Sequence, residues 1–175
     1  MNSREKELLQ VIDTVIRKNY IREMLDSMVV GVEKKLAGED NALMAWEPVP
    51  LYLYGEKFPD TILSSWIFIL RAGATTGAER HPNSHQRVMS YRGNGDLQVR
   101  SKDRWKSNLL VSDLEAELES RWASIPTNVW HQVVVPEKNW AVVSFHTVVA
   151  EELIEERPDP IDESLTHRRL YLDKN

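Results

Sequence analysis

Imidazoles and carboxylates carry most of the chemistry this chain can offer, because its 175 residues include five histidines and no cysteine. Such groups ligate transition metals or work as acid–base pairs. Four of the histidines, His81, His85, His131 and His146, lie in or beside apolar segments that read as strands. Taken singly each is ordinary. Two spacings give them weight: Gly73-x5-Glu79-x-His81-x4-Gln86-x6-Gly93 and Pro126-x-Asn128-x2-His131. On an extended chain, residues 79 and 81 point to one face and Arg80 to the other, where a charge suits the outside. His131, on a distant strand, can join them if that strand packs opposite. Asn128 stands in the turn before it, and Asn is among the few residues besides glycine that accept left-handed backbone.

The two spacings resemble the two cupin motifs, Gly-x5-His-x-His-x3 or 4-Glu-x6-Gly and Pro-x-Gly-x2-His. The resemblance implies a mainly β fold, the cupin double-stranded β-helix or jelly-roll barrel, with a metal site inside it. Metal-binding cupins usually offer three His and one Glu; here Glu79 stands at the first His position and Gln86 at the Glu position. The implied metal ligands are Glu79, His81 and His131. A two-His, one-carboxylate set suits Fe(II), with Mn(II) or Ni(II) as further candidates and Zn(II) a less natural one. Gln86, a weak neutral donor, reads as a neighbour of the ligands rather than one of them. A ligand role for Gln86 or His85 stays open.

Within the cupins, the run Glu79-Arg80-His81-Pro82-Asn83-Ser84-His85-Gln86 followed by Gly93-Asn94 resembles the cysteine dioxygenase family, whose metal strand carries His-x-His-x-x-Ser-His and then Gly-Asn. The family's Ser-x-His-x-Tyr run has its counterpart in Ser144-x-His146-x-Val148, without the tyrosine. By this resemblance His146, supported by Ser144, is an outer hydrogen-bond donor or proton relay, and Gln86 a polar neighbour of substrate. Two departures argue against cysteine as substrate. Glu79 replaces a histidine, and residues 46–66 contain Lys57 but none of the arginines that clamp a carboxylate in that family. The function implied is a mononuclear non-haem metal oxygenase acting with O2 on a small organic molecule. The alternatives are a metal-free cupin that binds a small molecule without catalysis, and a metal-independent sugar epimerase using His81 with Glu79. Tyr91, Trp130, Tyr52 and Trp66 are aromatic candidates for the pocket wall.

These residues need a scaffold. Leu8, Leu9, Ile12, Val15 and Ile16 recur at helical spacing within residues 3–18, with Asn2 and Glu5 in a capping-box relation. Met24, Leu25, Met28, Val32 and Leu36 mark a second helix over about 21–36 that stops near Gly38. From Leu43 onward short apolar runs at 51–54, 62–70, 87–91, 97–101, 129–135 and 140–150 read as strands. Residues 113–121 read as a helical turn or insertion, and 151–163 as an exit from the barrel. The layout expected is N-terminal helices over 1–40, a barrel over 41–152 and a C-terminal extension over 153–175, in one structural domain. His167, Arg168 and Arg169 read as a solvated basic surface.

Composition narrows the function classes. Twenty-two Lys and Arg against 27 Asp and Glu give a net charge of −5, the wrong sign for a partner of phosphate backbones, so nucleic acid is disfavoured. Mean hydropathy is −0.44, and no apolar run approaches the ~20 residues that span a bilayer. The charged N-terminus carries no signal-peptide core, so a cytoplasmic location is expected, with a homodimer the expected assembly because cupins commonly pair.

Overall fold

The structure, a computed structural model, describes residues 1–162 and 165–173. Of the expected C-terminal extension, residues 163–164 and 174–175 lie outside the described residues.

Helix α1 (Ser3–Ile16) begins where Asn2 accepts a hydrogen bond from the Glu5 amide at 2.9 Å, closing one free N–H. Only that half of the capping box forms. The Glu5 carboxylate instead accepts two bonds from Arg87, at 2.7 and 2.9 Å, and one from Ser124 at 2.7 Å, and so ties the helix to the barrel. Helix α2 (Asn19–Ala37) starts earlier than its apolar stripe suggested. Its last turn is closed by Arg71, which donates to the Leu36, Glu39 and Ala42 carbonyls. Gly38 adopts φ −81°, so the helix ends without a left-handed residue.

Among the described residues, a five-stranded antiparallel sheet has the order β1 (Met44–Pro48), β2 (Ser64–Leu70), β9 (Trp140–His146), β3 (Gln86–Arg92), β7 (Trp122–Ile125). It faces a second sheet in which β4 (Asn94–Ser101) pairs with β5 (Arg104–Lys106), β6 (Leu109–Val111) and β8 (His131–Val134). The short helix α3 (Leu118–Arg121) runs into β7, which resolves the ambiguity over residues 113–121. One expected strand is corrected: Leu51–Tyr54 is a 3-10 helix, because Pro50 fixes its first turn and Tyr54 is needed in the core against Phe58 and Phe145.

Strands β2 and β9 are buried along their whole length because both faces are used. Ile67, Ile69, Met89, Val143 and Phe145 pack under the helices with Leu9, Ile12, Leu25 and Val29. Trp66, Phe68, Leu70, Val88, Trp140 and Val142 point into the barrel with Leu97 and Leu110. The period of two therefore sends Gln86, Ser144 and His146 inward, beside one another in the register Gln86↔His146 and Val88↔Ser144.

The segment after β9 returns across the barrel mouth. Strands β10 (Ile154–Pro158) and β11 (Thr166–Leu170) form an antiparallel hairpin, and Tyr171 in the following 3-10 turn is buried against Trp46, Trp66, Phe68 and His81. The basic surface expected at His167, Arg168 and Arg169 is exposed but paired: Arg169 donates to Glu155 at 2.7 Å and His167 lies 2.5 Å from Asp159.

Candidate metal centre

Glu79 and His81 lie on an extended segment outside any named strand. The segment is held on alternate sides. Glu79 exchanges both backbone bonds with His131 at 2.8 Å, and Arg80 exchanges both with Glu156 at 3.0 and 2.9 Å. The alternation still sends Glu79 and His81 inward, while Arg80 lies against Glu156 and over the Trp130 ring at 4.5 Å. Asn128 adopts φ 65°, and its amide donates to the His81 carbonyl at 2.9 Å, so the turn that delivers His131 is fastened to the segment that delivers His81.

The ligand atoms of Glu79, His81 and His131 lie within 4.8 Å of one another. His81 Nδ1 donates to the Ile154 carbonyl at 2.9 Å and His131 Nδ1 to the Val129 carbonyl at 3.2 Å, which fixes the tautomers and turns both Nε2 atoms toward the group. His131 Nε2 is buried with no hydrogen-bond partner among the described residues, 3.5 Å from a Glu79 carboxylate oxygen. An imidazole lone pair and a carboxylate oxygen at that distance repel unless a proton on Nε2 or a metal cation lies between them. Burial and the His131 ring lower His81 to about 4 despite Glu79 and the Ile154 bond, so its imidazole is neutral at pH 7. Burial works against the charge on Glu79, but His131 and the Arg157 guanidinium beside it hold the carboxyl well below the usual range.

Gln86, Ser144 and His146 sit on the adjoining wall as a connected chain. Gln86 Nε2 donates to Ser144 Oγ at 3.1 Å, Ser144 lies 3.0 Å from His146 Nε2, and Ser84 lies 3.2 Å from His146 Nδ1. Both His146 nitrogens are thus occupied by hydroxyls, and burial with the neighbouring imidazoles keeps it neutral, well below the usual His range. His146 stacks edge-on to His81 at 5.2 Å without joining the ligand group. His85 is outside it: its Nε2 lies 2.7 Å from Ser124 on the helix side of the sheet.

A narrow cavity opens beside Glu79 and His131, with about 40 Å3 available to the centres of water molecules, enough for a few waters at ~10–15 Å3 each or a small organic molecule. Phe68, Leu70, Val88, Leu97, Val133, Trp140 and Val142 make its walls apolar; Thr76, Gln86, Ser144 and Tyr171 add polar points, and among the described residues no lysine or arginine lines it. The proposed aromatic walls are corrected. Tyr52 is exposed, Tyr91 donates to Asp26 and the Arg22 carbonyl at the helices, Trp130 covers Arg80, and Trp66 packs behind Tyr171. Phe68, Trp140 and Tyr171 take that role. Periodicity could not have found Tyr171, or Arg157, whose Nη2 lies 2.5 Å from Glu79; both come from a segment with no barrel motif.

No family model and no curated protein matches the sequence. Among solved structures, the capsular polysaccharide assembling protein CapF from Staphylococcus aureus aligns over 73% of this chain and 32% of its own at 15% identity and TM-score 0.50. Pumpkin seed globulin aligns over 67% and 29% at 17% identity and TM-score 0.50. The barrel has a jelly-roll fold. Oxalate oxidase in complex with glycolate also aligns, over 62% of this chain and 53% of its own, at 13% identity and TM-score 0.47. The chain spans about half the length of that enzyme and about a third of the other two, and at these identities the likeness concerns fold alone. No helix among the described residues is long and apolar enough to cross a membrane.

Proposed function

We propose that this cupin holds one divalent transition ion, Fe(II) before Mn(II) or Ni(II), on Glu79, His81 and His131, and acts as an oxygenase on a small, largely apolar molecule. The observation that carries this reading is the buried His131 Nε2 facing a carboxylate oxygen at 3.5 Å with its other nitrogen already committed to a carbonyl. Two bonds of about 2.0–2.2 Å to one ion span at most about 4.4 Å, so a side-chain adjustment of up to about 1 Å gathers atoms now within 4.8 Å. Two imidazoles and a carboxylate suit Fe(II), which when bound supplies the activation of O2.

The chain's own residues then divide the work. Ile154 and Val129 carbonyls orient the imidazoles, the Gln86–Ser144–His146 chain offers polar contacts at the edge of the cavity, and the apolar walls exclude water. The resemblance to cysteine dioxygenases supports thiol or related oxygenation, but the absence of a lysine or arginine from the cavity lining among the described residues supports a substrate other than cysteine.

One observation favours the metal-free reading: Arg157 already compensates the Glu79 charge. Protein loaded anaerobically with Fe(II) and then exposed to air separates the two. Uptake of O2 with a small apolar thiol, enol or diol, and none with cysteine, is the expected result. Rapid uptake with cysteine and release of cysteine sulfinate would overturn the exclusion of that substrate. Protein that takes up no Fe(II) would support the binding-only cupin.

A further inference from the structure

We propose that Arg157 is a positioning residue for this centre, holding one oxygen of Glu79 so that the carboxylate offers the ion a single oxygen. The proposal rests on the metal reading above and deepens it. The two Glu79 oxygens already face different partners: one lies 2.5 Å from Arg157 Nη2, the other 3.5 Å from His131 Nε2. The guanidinium is itself anchored at two further points. Its Nε donates to Glu155 at 2.8 Å and its Nη1 to the Thr76 carbonyl at 3.1 Å. Glu155 is fully buried and also receives two bonds from Arg169, its register partner across the β10–β11 hairpin, at 3.1 and 2.7 Å.

A planar guanidinium fixed on three acceptors aims one N–H at a fixed point and so holds the single Glu79 oxygen that accepts it, which a lysine ammonium, a rotatable point charge, does less well. One-oxygen ligation leaves one more coordination position open toward the cavity than two-oxygen ligation would. Arg157 also offsets the negative charge that Glu79 brings where related sites use a neutral imidazole, so the exchange of His for Glu changes the charge of the centre less than the sequence implies. The hairpin that carries Arg157 also carries Ile154, which orients His81, and the C-terminal segment thereby sets two of the three ligands.

The test is titration of the full-length chain with Co(II), whose visible absorption reports coordination number, in wild type, Arg157→Gln and Arg157→Lys. Arg157→Gln is expected to weaken Co(II) binding by about 10–100-fold, the usual effect of losing a group that orients a ligand, and to alter the absorption as Glu79 becomes free to offer both oxygens. Arg157→Lys is expected to recover part of the affinity but not the wild-type spectrum. Should Arg157→Gln fail to fold, the lysine variant alone decides. A folded variant at position 157 with the wild-type spectrum and affinity would overturn the proposal. Wild-type protein that takes up no Co(II) would remove the metal reading and this proposal with it, an outcome distinct from wild-type uptake matched by the variants.

Discussion

His81 and His131 each spend Nδ1 on a backbone carbonyl, and that choice governs how they respond to substitution and to acid. His131→Ala should lower bound metal far more than Gln86→Ala, since Gln86 contacts Ser144 and not the ligand atoms; loss of an outer contact costs about 10–100-fold in affinity. Equal losses on metal analysis would move Gln86 into the ligand set. The pH response follows from the direction of the shifts. His81 is lowered to about 4 and His146 in the same direction, so the unfolded chain binds more protons than the folded one below pH ~6.5. The stability these groups contribute is complete above that pH and is lost as pH falls toward the folded values. For His81 alone the loss at pH 5 is about 2 kcal/mol, which denaturant unfolding of metal-free protein at pH 7 and 5 would register; equal stability at the two would contradict the neutral, buried assignment. The cupin-like spacing made Glu79, His81 and His131 legible because ligand positions follow local period and turn chemistry. Arg157 and Tyr171 were not legible, because their approach depends on how a later hairpin folds back.

At the scale of elements, parity did most of the placing. Alternation along β3 and β9 sends Gln86, Ser144 and His146 inward and Arg87 and Phe145 outward, and this could be read from the chain. The 3-10 helix Leu51–Tyr54 could not, because its short apolar run suits strand and helix alike. The turn before β8 depends on Asn128 at φ 65°, where Asn128→Ala should cost about 1 kcal/mol and Asn128→Gly little, measured by urea unfolding. Tighter still is Gly95: a Cβ there would lie 2.1 Å from the Trp140 ring, which is fully buried and borders the cavity. Gly95→Ala should destabilise by about 1–3 kcal/mol or more and disturb the cavity wall; an unchanged unfolding midpoint would show that β4 and β9 are less closely packed. Helix α1 is fixed by Asp13, which receives bonds from Arg121 at 2.5 and 2.9 Å and from Trp122 at 2.9 Å. Asp13→Asn, breaking a buried pair, should cost about 3–5 kcal/mol.

Across the whole molecule, two helices cover one face of a jelly roll and the C-terminal segment covers its mouth, so the candidate centre is closed on the Glu79 side by a hairpin and lined elsewhere by apolar residues. The fold was legible because two motifs and a run of short strands agreed; the substrate was not, because the small cavity is shaped by residues distant in sequence. The claim on which the rest depends is that Glu79, His81 and His131 hold a metal. Its most direct measurement is the transition-metal content of the full-length protein, expressed with iron and purified anaerobically without chelator, beside His131→Ala prepared the same way. About one ion per chain in the wild type, mostly iron, and little in the variant is the expected result. Wild-type protein free of metal, or a variant holding as much as the wild type, would contradict it.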